Sequence, residues 1–578
     1  MIQAGADSQT ELIRAIRLIE TVGAELANTA WARQVRQERL ECLPIPDEAA
    51  AERRSALGRA WRAQADAIDL AVLPDDIRLS VEVARRTADR FAFEAAWFWL
   101  VHDPAGTAFF GLFGPTSYCG GSFLTPLAQM IGREAFTRPG DCDRYLGLVA
   151  DLADVVHAMR ARLEGQASRG IIMPAPQLRQ ALPLVSGLAK QIREAVIGGP
   201  ERYAHLPGSE AFRSRLNALV EGTLQPAFDA LLNFIGGDYG SRASERVGIG
   251  QYPGGEEVYA ELVRLHTTLD LTPESVHARG HERMREIREG MRAIRAEVGF
   301  AGDDAEYLRA IGADPRWRAS SAEGVAAVFR RYIDRLAPRL GEWFHAGPPV
   351  PYDVAPLPEA LQGSMTFGYY QTPMAKGAPG LYLFNAANLT QACLANIATL
   401  TYHELVPGHH LHLSSQTQNE DLAPLRKFSF FNAFNEGWAE YAGTLAGEQG
   451  LYVEPEERFG RLMNNAFLSC RLVVDTGMNV MGWSLEKGRA YMRDNSFISE
   501  REIATESIRY SCDIPAQSLA YKLGDTFLIA QRERMRAALG ARFDLRDFHD
   551  AVLKPGALPL PLVAGQIDRA IARAALHS

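Results

Sequence analysis

The stretch NLTQACLANIATLTYHELVPGHHLH, Asn388–His412, decides how the rest of the chain is read. Its first part, Asn388–Thr401, predicts a helix, with Asn388 as a cap and Leu394, Ile397 and Leu400 turned inward. Its second part gathers four of the chain's 13 histidines within ten residues: His403, His409, His410 and His412. His403-Glu404 therefore stands where a helix leaves the core. A His-Glu pair followed by a second His one turn on is a spacing in which two imidazoles bind Zn2+ while the Glu acts on the bound water. Here the second imidazole is displaced. Position i+4 is Pro407, and the next histidine is His409 at i+6.

On a straight helix, i+6 is turned by about 120° and raised by about 9 Å. Imidazoles so placed cannot share an ion whose Zn–N distances are about 2.0–2.1 Å. His410 at i+7 returns to the face but lies about 10.5 Å along the axis. The helix must deform for the spacing to work. Pro407 removes a backbone donor and Gly408 admits unusual dihedrals, so Val406-Pro407-Gly408 is the natural place for a bulge. A two-residue bulge brings His403 and His409 to something like i+4, which favours His409 over His410 as second ligand and leaves His410 as a supporting neighbour.

The third ligand is expected from Asn435-Glu436-Gly437-Trp438-Ala439-Glu440-Tyr441. Glu436 and Glu440, four residues apart, face the same way on an otherwise apolar helix. Burying both carboxylates without a cation is costly. The expectation is Glu436 on the metal and Glu440 behind it, orienting a ligand imidazole.

Outward from this centre, helical periodicity dominates, and the predicted fold class is mainly α. Val276, Met284, Ile287, Met291, Ile294 and Val298 mark one face of a helix that begins at Thr272-Pro273-Glu274 with a hydroxyl cap and Pro at the first turn. Leu12, Ile13, Ile16, Ile19, Val22 and Leu26 mark another. Strand signals are confined to Thr366–Gln371 and Leu381–Asn385, read as a hairpin around a long turn beside the active-site helix. Tyr369, Tyr370 and Tyr382 on these strands are candidates to line an extended substrate. Gly/Pro punctuation at Tyr239–Gly255 suggests an N-terminal helical region, 1–240, and a catalytic region, 241–578, in one composite domain around a central cleft.

Composition narrows the classes of function. The 578 residues are 47% hydrophobic and 23% charged, as in a globular chain, and the net charge of −9 argues against nucleic acid. No run of 18 uncharged apolar residues offers a membrane span. Six dispersed cysteines suit neither a disulfide scaffold nor a thiolate site. The N-terminus lacks a basic segment followed by an apolar one, so a cytoplasmic location is expected.

NEGWAEY resembles the N-E-G-[FW]-A element of gluzincin aminopeptidases. HELVPGHH together with NEGWAEY is similar to the bacterial family called domain of unknown function 885, whose motif reads H-E-x-x-P-G-H. Gln251–His277, the PGLYLFN stretch, Arg471–Ser484 and Asp513–Gly524 resemble it as well. The resemblance implies a large helical zincin-like metallopeptidase fold, with one Zn2+ per chain held by His403, His409 and Glu436. Glu404 is implied as general base. Tyr521, Tyr510, Lys522 and Arg509, from the same C-terminal segment, are candidate donors to a developing oxyanion, with Tyr521 preferred. Asn479 stands where the family commonly carries His, and it is expected to donate a hydrogen bond near the substrate. The implied activity is zinc-dependent cleavage of a peptide or small amide, and a homodimer is compatible with it. A non-haem Fe(II) oxygenase on the same triad and an inactive binding protein are the competing expectations.

Overall fold

The structure, a computed structural model, describes residues 2–29, 33, 38–106, 108–138, 140–359, 368–373 and 378–576. It is mainly α-helical, with one three-stranded sheet among the described residues. The helices that frame the centre are α1 (Pro273–Glu297), α2 (Ile397–Glu404), α3 (His409–Gln418), α4 (Asn432–Glu448), α5 (Pro455–Val480), α6 (Glu500–Ile508) and α7 (Ala520–Leu539). The strands are β1 (Tyr352–Pro356), β2 (Gly368–Gln371) and β3 (Gly380–Phe384).

Local sequence explains the helix starts. Thr272 accepts the Ser275 amide at 3.2 Å and Pro273 follows it, as expected for α1. Glu454 with Glu457, and Ser499 with Glu502, close capping boxes at the starts of α5 and α6. The α1 face is buried at Val276, Met284, Ile287, Met291 and Ile294 and packs on α5; only Val298, past the helix end, is exposed. The N-terminal helix Ile2–Ala27 buries Ala15, Leu18, Ile19, Val22 and Leu26, while Ile13 and Ile16 face outward. Its stripe is thus rotated from the expected one.

Two expectations are corrected. Asn388–Thr401 is not one helix. Asn385, rather than Asn388, caps a single turn at Ala386–Leu389, accepting the Asn388 amide at 3.3 Å. The chain then leaves helical geometry, and the Leu394 amide donates to the Trp317 carbonyl (2.8 Å) before α2 begins. Leu394, Ile397 and Leu400 are buried nonetheless. The sheet also holds a strand that no signal announced. β3 is central, pairing antiparallel with β2 and parallel with β1. Within the predicted strands, Thr366 and Phe367 lie outside the described residues.

The apolar cores cross the Tyr239–Gly255 seam. One cluster joins residues between Leu40 and Val276 to Leu472, Ala516, Leu519 and Leu523. A second joins Ala15–Phe91 of the first chain segment to residues between Val325 and Ile567. A third, smaller cluster lies between α1, α5 and the segment from Ile503 to Cys512. The metal-ligand candidates sit where α2, α3, α4 and α7 converge.

Candidate metal centre

The helix carrying His403 stops at Glu404. Leu405 adopts φ −107°, ψ −115°, and Gly408 φ −78°, ψ −129°, before α3 starts at His409. The break is held from both sides. The Leu405 carbonyl accepts the His410 amide at 3.0 Å, and Trp438 Nε1 on α4 donates to the Pro407 carbonyl at 2.8 Å. Gly408 is required by close approach: a Cβ there would stand 1.9 Å from the His403 carbonyl oxygen. The deformation is a break between two helices rather than a bulge within one.

Its result is that His403 and His409 face each other, ring centroids 4.9 Å apart and planes at 89°. Glu436 on α4 completes the group. Its Oε2 lies 3.3 Å from His409 Nε2 and 3.8 Å from His403 Nε2. One atom from each of the three lies within 4.8 Å of the others, the one such cluster of three metal-binding side chains among the described residues.

Each imidazole is oriented from behind. His403 Nδ1 donates to Glu440 Oε1 at 2.9 Å, which leaves its Nε2 lone pair facing the cluster. Glu440 is fully buried and accepts further from Arg461 (3.0 Å) and Asn464 (3.1 Å), with Lys522 Nζ 3.9 Å away. Burial alone would raise this carboxyl, but Arg461, His403 and Lys522 outweigh it and hold it far below the carboxylate range. His409 Nδ1 meets His412 Nε2 at 3.1 Å, and burial keeps His412 well below the usual histidine range, so it stays neutral and can accept. The donor set of two imidazoles and one carboxylate, both imidazoles supported from behind, suits Zn2+.

Glu404 adjoins the cluster. Burial, helped by Glu436 and Glu440, raises its carboxyl against the opposing pull of His403 and His409. Tyr521, at the start of α7, lies parallel to the His403 ring, 6.4 Å centroid to centroid and 11° between planes. Burial and then the Glu436 charge push its phenol up to about 12, so the hydroxyl is a neutral donor at pH 7. α7 can come this close because Gly437 and Gly524 face one another at its crossing with α4: a Cβ on Gly437 would lie 2.5 Å from Gly524 Cα.

Other expected site residues belong elsewhere. His410 turns toward the sheet, its Nδ1 2.9 Å from the Tyr370 hydroxyl and its Nε2 donating to the Val350 carbonyl at 3.0 Å. It neither ligates nor supports a ligand side chain; it ties β2 to α3. Lys522 is buried behind Glu440, bonded to Asp525 and to Asn465 Oδ1 (2.8 Å), and presents nothing to a substrate. Tyr510 is buried and closed off by Glu506 and Arg471. Asn479 is a structural tie. Its Oδ1 accepts the Ile249 amide at 3.0 Å, and its Nδ2 donates to Asp475 and to the Tyr510 carbonyl. Tyr382 is fully buried against Phe329, whereas Tyr369 is exposed on β2. Arg509 remains near the cluster, where its charge acts on Glu436 and Tyr521.

The supports of the site were the harder part to foresee. His412 had a signal, since it lies three residues beyond His409 on the same helix. Arg461 and Asn464 had none, because their partner Glu440 is brought by another helix.

The chain belongs to a bacterial family of proteins of unknown function, DUF885, which matches residues 30–567. Comparison with curated proteins gave no match. Solved structures share the fold, among them the following two. One, described as a "putative lipoprotein" from Colwellia psychrerythraea, has a TM-score of 0.82 at 22% identity, covering 98% of this chain and 99% of its own. The other, described as a "putative lipoprotein of unknown function" from Shewanella oneidensis, has a TM-score of 0.71 at 18% identity, covering 97% and 99%. Among the described residues no helix is long and apolar enough to cross a membrane.

Proposed function

We propose that this protein is a zinc-dependent hydrolase of the gluzincin type that cleaves a peptide or small amide bond. The observation that carries the reading is the convergence of His403 Nε2, His409 Nε2 and the Glu436 carboxylate, with Glu404 next to His403 in the chain and within reach of the charges of all three. A zinc ion held by these three would supply Lewis acidity and a water of lowered pKa. The protein's own groups then have separate tasks. Glu404, with its raised proton affinity, takes a proton as the water oxygen bonds to the amide carbon, and returns it to nitrogen as the C–N bond breaks. The neutral Tyr521 hydroxyl donates to the oxygen that gains charge. Among the described residues β2 is paired only with β3, and an extended substrate would add to the sheet at that edge strand.

The test is elemental analysis beside a hydrolysis panel of peptides and acyl amino acids. One zinc per chain is expected, and Glu404→Gln should keep the metal while losing about 10²–10⁴-fold in rate. Iron with oxygen consumption would favour an oxygenase instead, and metal without turnover on any substrate would favour a binding protein. The cytoplasm is the compartment expected from the sequence, whereas likeness to proteins described as lipoproteins supports the cell envelope. Cell fractionation decides between them.

A further inference from the structure

The C-terminal wall of the centre holds more positive charge than its ion pairs use. Arg471 and Arg509 share one carboxylate, Glu506. Arg471 Nη2 donates to it at 3.1 Å, and Arg509 Nη1 stands 3.6 Å away. Glu506 also accepts the Tyr510 hydroxyl. The next acid, Asp513, is committed to the Thr116 hydroxyl (2.6 Å) and the Tyr118 amide (2.8 Å).

Arg509 is the less satisfied of the two arginines. It is 8% exposed, its Nη2 donates to Gln517 Oε1 at 2.7 Å, it also hydrogen-bonds the Tyr521 hydroxyl, and its Nε has no hydrogen-bond partner. The Tyr118 ring, from the first half of the chain, covers one face of the guanidinium at 4.5 Å. A buried guanidinium with an open donor and a half-share of one carboxylate is stabilised by any further anion it can reach. It stands on the π-helical turn Arg509–Asp513 and bonds Tyr521, whose ring lies 6.4 Å from that of His403, so the anion would lie beside the metal ligands. A metal ion would engage the Glu436 charge and leave Arg509 more in need of a partner. The planar fork of arginine matches a carboxylate's two oxygens.

We propose that Arg509 binds a carboxylate carried by the substrate itself, so that the bond cleaved is an amide next to a free carboxylate, as in short peptides and acyl amino acids. The inference rests on the hydrolase reading for its chemistry and narrows its substrate class. The carboxylate can come from a chain terminus or from an acidic side chain, and the assay separates these sources.

The experiment uses the zinc-loaded full chain with three probe sets: N-acetyl dipeptides with a free C-terminus, the same peptides as C-terminal amides, and amides carrying Asp or Glu beside the scissile bond. A carboxylate-bearing set should be hydrolysed with kcat/KM roughly 10- to 100-fold above its uncharged counterpart, the contribution of a charge-assisted hydrogen bond. Arg509→Met should bring that ratio to about one, and Arg509→Lys should restore part of it. Equal rates for acids and amides in the wild type overturn the inference and leave the hydrolase reading standing, with no variant required. Absence of turnover in every set sinks the hydrolase reading instead. Calorimetric binding of the same acids and amides to zinc-loaded Glu404→Gln then decides the inference alone: tighter binding of acids supports it, and equal or no binding overturns it.

Discussion

Replacing Glu440 by Gln removes one negative charge from a wholly buried position while keeping the shape of the side chain. In the wild type that carboxylate accepts from His403 Nδ1, Arg461 and Asn464 and faces Lys522. Two consequences separate cleanly. The first concerns zinc: loss of the carboxylate behind a ligand histidine typically weakens metal affinity 10- to 100-fold, about 1.4–2.7 kcal/mol. The second concerns the metal-free protein. Lys522 keeps Asp525, but Arg461 has Glu440 as its carboxylate partner. Breaking such a buried pair from one side costs about 3–5 kcal/mol, less whatever the Gln oxygen still accepts. Zinc affinity is read by competition with a chromophoric chelator, and stability by urea unfolding of the apo protein. The double variant Glu440→Gln/Arg461→Met should regain most of the stability, because no guanidinium is left unpaired, without regaining affinity. A Glu440→Gln protein of unchanged helix content that binds zinc within about twofold of the wild type would refute the assignment of Glu440 as the orienting partner of His403.

Three further outcomes are expected. Gly408→Ala places a methyl 1.9 Å from the His403 carbonyl, so the break between α2 and α3 must shift; zinc stoichiometry should fall below one, with about 1–3 kcal/mol lost in unfolding. Asn479→Ala should lower stability by about 2 kcal/mol or more through the unpaired Ile249 amide and Tyr510 carbonyl, and leave substrate preference unchanged in the kinetic panel. Asp513 is pushed up to about 6 by burial. The folded state therefore holds this proton where the unfolded state has released it, and the contribution fades as pH rises from about 4 to about 6. Across that window, unfolding curves should show the stability difference between Asp513→Asn and wild type moving about 3 kcal/mol in favour of Asn.

The ligand candidates were legible because helix geometry excludes a regular spiral through His403 and His409, and because Glu436 and Glu440 share a face too apolar for unpaired acids. The orientation of His410 was not legible. A straight helix would have returned it to the ligand face, and the break at Leu405–Gly408 turns it to the sheet instead. β1 was missed for a related reason: Tyr352–Pro356 is bracketed by prolines and reads as loop, and only the distant β3 supplies its hydrogen bonds. Lys522, Tyr510 and Asn479 carry groups common in active sites. Helical spacing offers each a local partner (Asp525, Glu506, Asp475), but what closes them off comes from distant segments (Asn465, Arg471 and the Ile249 amide), which spacing along the chain cannot reveal.

The pairing of Ala15–Phe91 with residues beyond Val325 in one core has a consequence for synthesis. Helices made first must wait for roughly 230 more residues before their greasy faces find cover, about 10–50 s at ordinary ribosome speed. Such a chain emerges with its earliest surfaces sticky and its last helices indispensable, so cells making it fast or warm should call on chaperones early, and a ribosome stalled midway should release an aggregate rather than a half-sized folded unit.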